Sequence, residues 1–92
     1  MALIAIKDKG LRELFENGAT RHIGKQFHEN AIMILDHLDN ITDIKDCMGV
    51  KDFHALKGTR KGQYAMHVTG NWCITFKWNG TDVTVLAFED YH

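Results

Sequence analysis

Near Phe53 the apolar residues of this chain stop recurring at helical spacing and begin to alternate, and this change of period constrains the fold more than any other feature. Trp72, Ile74, Phe76 and Trp78 alternate with Cys73, Thr75 and Lys77, so the two sets face opposite sides of a strand, with the aromatic set in the core. Asn79-Gly80 is the dipeptide that best accepts the positive φ angles of a type I′ turn, and Val83 to Phe88 reads as the returning strand. Upstream, Tyr64, Met66 and Val68 alternate with Gln63, Ala65 and His67, and Thr69-Gly70-Asn71 links this strand to the next. Three antiparallel strands follow. Further strands are expected around 53–57 and at Ala2 to Ile6.

The first half has the other period. Leu11, Leu14 and Phe15 stripe a short helix that Asn17-Gly18 should stop, and Phe27, Ala31, Ile34, Leu35 and Leu38 stripe a longer one. Thr42 to Cys47 adds a short helical turn, with Thr42 as its expected N-cap. The fold class is therefore α+β: N-terminal helices packed on one face of a curved, mainly antiparallel sheet, the other face left open for function. With 92 residues, and no proline or Gly/Ser linker to mark a boundary, the chain is expected to be a single domain over 1–92.

Composition narrows the function. No apolar run approaches the roughly 20 residues needed to cross a bilayer, and Met1 to Ile6 lacks the basic and long apolar regions of a signal peptide, so a cytoplasmic protein without a membrane partner is expected. Cys47 and Cys73 form no CxxC pair, and two cysteines in such a chain are expected as free thiols. A net charge of −1 argues against coating nucleic acid by bulk electrostatics. Yet no acidic residue lies between Asp52 and Asp82, while Lys57, Arg60, Lys61, Lys77, His54 and His67 do. On composition alone a solvated basic surface explains that interval; a local anion site is the alternative.

The polar residues left after the core is assigned gather in two places: the segment from His54 through Lys57, Arg60 and Lys61 to Gly62, and the terminal Asp90-Tyr91-His92. A histidine near cations suits proton transfer beside a phosphate. A terminal tripeptide is ordinarily expendable, but this one directly continues a strand. The six histidines form no recognisable metal-ligand pattern, and neither metal nor other cofactor is expected.

These residues carry a resemblance. Lys7-Asp8-Lys9-Gly10-Leu11 to Leu14-Phe15-Glu16-Asn17-Gly18, then Ile34-Leu35-Asp36 with Leu38-Asp39, and Phe53-His54-Ala55-Leu56-Lys57-Gly58 with Arg60 and Gly62 resemble the HigB-type toxins of toxin–antitoxin pairs, within the RelE-like superfamily. Asn71-Trp72 with Ile74-Thr75-Phe76 and the end Glu89-Asp90-Tyr91-His92 complete the match across the chain. The resemblance implies a RelE-like fold and an endoribonuclease that cuts messenger RNA in the ribosomal A site, the 2′-hydroxyl of one nucleotide attacking the adjacent phosphodiester to leave a cyclic phosphate and a free 5′-hydroxyl. It implies a HigA-like helix-turn-helix antitoxin as partner, with operator DNA reached only through that antitoxin. The reaction asks for a base, groups that stabilise charge on the phosphorane, and an acid, but no metal-activated water. Carried over by position, the functional residues are His54, Lys57, Asp90, Tyr91 and His92, with Arg60, Lys61 and Lys77 as phosphate or RNA contacts. His54 or His92 would trade protons, Lys57 and Arg60 would stabilise phosphate charge, Asp90 would orient a neighbour, and Tyr91 would stack on a base or ribose.

The chain departs from the family pattern where that pattern has Pro (here Ala55), an acidic residue (Thr59) and an aromatic pair (near Gln63-Tyr64), changes a surface tolerates. At Cys73 the family pattern has Arg, and a neutral thiol cannot replace a guanidinium at a phosphate. Weakened or lost cleavage is expected from that position. The alternative from another class is a binding module of the same fold that occupies antitoxin or ribosome without chemistry.

Overall fold

The computed structural model describes residues 1–90 of the chain. Its elements run β1 (Leu3–Ile6), α1 (Lys9–Asn17), α2 (His28–Asn40), β2 (His54–Ala55), β3 (Gln63–Thr69), β4 (Trp72–Trp78) and β5 (Val83–Asp90), with 3-10 turns at Lys25–Phe27, Ile44–Cys47 and Gly58–Arg60. The strands form one sheet in the order β1-β5-β4-β3-β2. The three long strands are antiparallel neighbours, as their short connections require, while β1 joins the far side of β5 in parallel.

Both helices lie on one face. Leu11 and Leu14 of α1 and Ala31, Ile34, Leu35 and Leu38 of α2 are buried against Met66, Val68, Ile74, Phe76, Val83 and Val85 of the sheet. Burial of these side chains, at roughly 25 cal/mol per Å2 of apolar surface, is what holds the two layers together. At one end of this core Trp72 stacks on Phe88 with ring centroids 4.8 Å apart, and Phe27 meets Phe88 edge-on at 5.3 Å. The helix α1 begins where the Asp8 carboxylate accepts the Leu11 N–H (2.9 Å) and ends at Gly18, whose φ of 81° suits a residue without a Cβ.

Three local expectations are corrected. The link between β4 and β5 is not a two-residue type I′ turn: it spans 79–82, and of the Asn79-Gly80 pair only Gly80 has positive φ. Asn79 instead turns its side chain inward, its Oδ1 accepting the N–H groups of Thr81 (2.9 Å) and Asp82 (2.6 Å), a side-chain turn that competes with the left-handed backbone. The 3-10 turn at Ile44–Cys47 is capped by Asp43, not Thr42, because Asp43 accepts the Lys45 N–H while Thr42 donates to the Asp46 carboxylate. The strand expected over 53–57 is only His54–Ala55, since the chain leaves the sheet after Ala55 to build the turn that follows.

The helix-free face is also not simply open. Leu56, Ala65 and Cys73 form a second small apolar cluster there, and Thr75 beside them is fully buried. The segment after β2 folds back across the sheet and covers these residues. Strand alternation gave the correct face for Cys73 and Thr75, but whether a face is covered depends on a segment with no periodic signature.

Candidate active site on the helix-free sheet face

Cross-strand register arranges this face in rows. His54 pairs with Ala65, which pairs with Thr75 and then Ala87; the next row runs His67, Cys73, Glu89; and on the other side Gln63 lies opposite Lys77 and Thr84. Directly opposed side chains on one face of an antiparallel pair sit about 4.5–5.5 Å apart at Cβ. His54, Cys73 and Lys77, which the sequence nominated separately, thus share one surface.

His54 is set by an unusual turn. Lys51 and Asp52 both adopt positive φ, 48° and 57°, a conformation that costs a non-glycine residue on the order of 1 kcal/mol or more and clusters at functional sites. The segment is tied down by the His67 N–H donating to the Lys51 carbonyl (2.6 Å) and by Lys51 Nζ reaching the Asn30 amide oxygen (3.4 Å). It aims the Asp52 carbonyl at His54 Nδ1, 2.9 Å away. A carbonyl only accepts, so in this hydrogen bond Nδ1 carries a proton, and the bond fixes the orientation of the ring.

The cations sit on the following turn. Lys57 and Lys61 are exposed at its ends, Gly58 (φ 66°) and Gly62 (φ 95°) supply its left-handed residues, and Leu56 roots it in the small apolar cluster. Arg60 does not project outward. Its two terminal nitrogens donate to the two carboxylate oxygens of Glu89 at 2.6 and 2.8 Å, and its Nε donates to the Gln63 side-chain oxygen at 3.0 Å. The buried Thr75 hydroxyl donates to the same Glu89 carboxylate at 2.8 Å. The hydrogen bond from Arg60 holds the Glu89 carboxyl below the usual carboxylate range despite partial burial, with help from Thr75.

Cys73 is 3% exposed. Burial raises its thiol pKa, and the charges of Asp52, Glu89 and Asp90 push it in the same direction, so the group is a neutral thiol at physiological pH. The charges of those three carboxylates reach a position that carries no cation. Asp90 is exposed and in register with Trp72 at the last described position of β5. Tyr91 and His92, the remaining site candidates, lie outside the described residues.

The sequence reading assigned no role to Glu89, Gln63 or Thr75. The signal for Glu89 was present, an acidic residue following an apolar strand and alternating with Phe88 onto the opposite face, but its partner lies 29 positions away in a non-periodic turn. The acid-free interval between Asp52 and Asp82 is not an unopposed basic patch in space, because Glu89 neutralises Arg60 from outside it. Among the described residues no three metal-ligating side chains converge. A shallow groove lined by Lys57, Lys61 and Tyr64 lies beside the turn, whereas a larger one, between α1 and the 18–25 segment, contains none of the nominated residues.

Comparison with known proteins places the chain in a family. The family model described as the RelE-like toxin of type II toxin–antitoxin system HigB matches residues 4–92. The Endoribonuclease HigB of Proteus vulgaris is 36% identical over 89 residues, which are 96% of this chain and 97% of that protein. Among solved structures, the YoeB/ParE toxin from Agrobacterium tumefaciens superposes with a TM-score of 0.67 over the whole of both chains at 13% identity, a likeness of fold alone.

Proposed function

The chain belongs to the HigB family of RelE-like toxins of type II toxin–antitoxin systems, and from that membership we propose that it is a toxin that cleaves messenger RNA on the ribosome. The reading is supported by the placement of His54 on the helix-free sheet face, its ring held on the Asp52 carbonyl, three residues before Lys57 at the start of the turn whose Arg60 reaches Glu89. In this reading His54 Nε2 takes the proton of the ribose 2′-hydroxyl, whose oxygen attacks the adjacent phosphorus. Lys57 stabilises the charge that develops on the phosphorane, with Lys61 and Lys77 adding positive potential nearby. His92 returns a proton to the departing 5′-oxygen, Tyr91 stacks on the nucleotide, and Asp90 orients a neighbouring cation. No metal-bound water is called for, since the nucleophile belongs to the substrate.

The ribosome enters because the protein supplies little binding energy of its own. A chain of net charge −1 lacks the cationic surface that free RNA binding requires, so the A site must present the message. A HigA-like helix-turn-helix antitoxin is the proposed inhibitor, with contact to operator DNA only through it. A second reading, a catalytically inert module that binds antitoxin or ribosome, is favoured by one observation: a buried neutral thiol at Cys73, reached by the charges of three carboxylates, where the family pattern has Arg.

The test is cleavage of one message free and on programmed ribosomes. Cleavage on the ribosome with free RNA left intact is expected. Equal degradation of both overturns ribosome dependence, and cleavage of neither leaves the inert module.

A further inference from the structure

The turn at 57–62 holds a cation the proposed reaction needs, yet little of its own construction keeps it in place. Two glycines in the left-handed region bracket it, and its internal hydrogen bonds are two, the Arg60 N–H to the Lys57 carbonyl (3.2 Å) and the Lys61 N–H to the Gly58 carbonyl (3.1 Å). On its N-terminal side Leu56 anchors it, through burial and an N–H bond to the Gln63 carbonyl at 2.9 Å. Beyond Leu56, Arg60 reaches from the turn to the sheet.

That reach crosses three strands. Arg60 grips Gln63 on β3 and Glu89 on β5, and Glu89 is held in turn by Thr75 on β4. The end-on fork commits both terminal nitrogens to one carboxylate, with geometry that adds direction as well as energy. A substrate phosphate would have to displace a carboxylate that already accepts from a fully buried hydroxyl and is partly desolvated. Glu89 also cancels the charge of Arg60, so the pair offers a phosphate almost no net attraction.

We propose that Arg60 and Glu89 are positioning residues: together they clamp the 57–62 turn to the sheet and so hold Lys57 at the reacting face, and Arg60 itself makes no contact with the substrate phosphate. The inference rests on the reading of this face as a nuclease site, and only its catalytic half depends on that reading. A rival role for the same pair has the opposite sign. If Arg60 were a phosphate ligand restrained by Glu89, releasing it would strengthen RNA contact and raise activity.

Glu89→Gln and Arg60→Gln attack the clamp from its two ends while keeping side chains of similar size. In the purified protein, hydrogen exchange at the Arg60 and Lys61 amides should quicken at least tenfold in both variants, with exchange across β3 and β4 unchanged. On programmed ribosomes kcat should fall tenfold or more with KM little altered, and neither substitution should reduce kcat further once Lys57→Gln is present, because both act through Lys57. Unchanged exchange in the turn, increased cleavage by Glu89→Gln, or losses that simply add to that of Lys57→Gln would each overturn the proposal. Quickened exchange in a protein that cleaves nothing even unsubstituted would uphold the clamp and overturn the nuclease reading instead.

Discussion

Cys73 is the residue at which chemistry and family pattern part company. It lies between His67 and Glu89 in its row and packs on Leu56 and Ala65, a site where a small apolar side chain is well accommodated. The charges that reach it from Asp52, Glu89 and Asp90 favour a cation, however. An arginine there would carry its charge into the field of Asp52, Glu89 and Asp90. A charge-assisted contact to a transition-state phosphate contributes on the order of 3 kcal/mol, roughly a hundredfold in rate. Cys73→Arg is therefore expected to raise message cleavage on ribosomes, and growth inhibition at matched expression, by about that factor. Equal cleavage by the two proteins would mean that position 73 carries no catalytic weight in this chain. Sequence alternation placed Cys73 on the right face, but its burial and its acidic surroundings come from residues 52, 56, 89 and 90, which no local pattern connects to it.

Among the elements, α1 is the one whose end was legible, at Asn17-Gly18, while its start at Asp8 came from the structure. The Asp8 carboxylate satisfies the Leu11 N–H, and Gly18 terminates the helix by donating its N–H to the Leu14 carbonyl at 2.9 Å. Replacing an N-cap aspartate by alanine costs about 1 kcal/mol. In a domain of this size that corresponds to a fall of roughly 4–8 °C in thermal midpoint. Asp8→Ala should show it by thermal unfolding, with Asp8→Asn recovering most of the loss; a midpoint unchanged by Asp8→Ala would show that packing alone holds the helix. The hairpin between β4 and β5 is the contrasting case. Its existence and its strands were legible from alternation, but Asn79 can serve either a left-handed backbone or a side-chain turn. The longer loop and the irregular register between Thr75 and Phe76 favour the second.

For the molecule as a whole, acid is the condition to which this structure is most exposed. The carboxyls of Glu89, Glu13 and Asp46 are all held below their usual range, by hydrogen bonds from Arg60, from the Thr20 hydroxyl and from the Thr42 N–H respectively. A carboxyl with a depressed native pKa favours the folded state above its unfolded pKa, and the benefit disappears as pH falls through the native value. The thermal midpoint should accordingly decline as pH drops below about 4.3, the ordinary glutamate value, with little contribution from these groups between pH 5 and 7. Glu89→Gln should flatten part of that decline, since Glu89 is the most enclosed of the three, its side chain 27% exposed against 31% for Glu13. An acid limb of identical steepness in the variant would show that the Arg60–Glu89 pair does not bear on global stability.

Local periods are written in the sequence, and with them two amphipathic helices, three strands joined by short connections, the faces taken by the residues of 63–68 and 72–78 and the family resemblance that the motifs carry. Such features depend on neighbours three or four positions apart in a helix and two in a strand, so they are written in any short window of the chain. Long-range packing is what sets β1 beside β5 in parallel, lays the segment after β2 over part of the face expected to be open, and closes Arg60 on Glu89. Each of these joins residues that are far apart in the chain, and the last two involve a turn with no period. They are settled by which buried groups find partners once the layers are packed, a condition that only the assembled chain imposes.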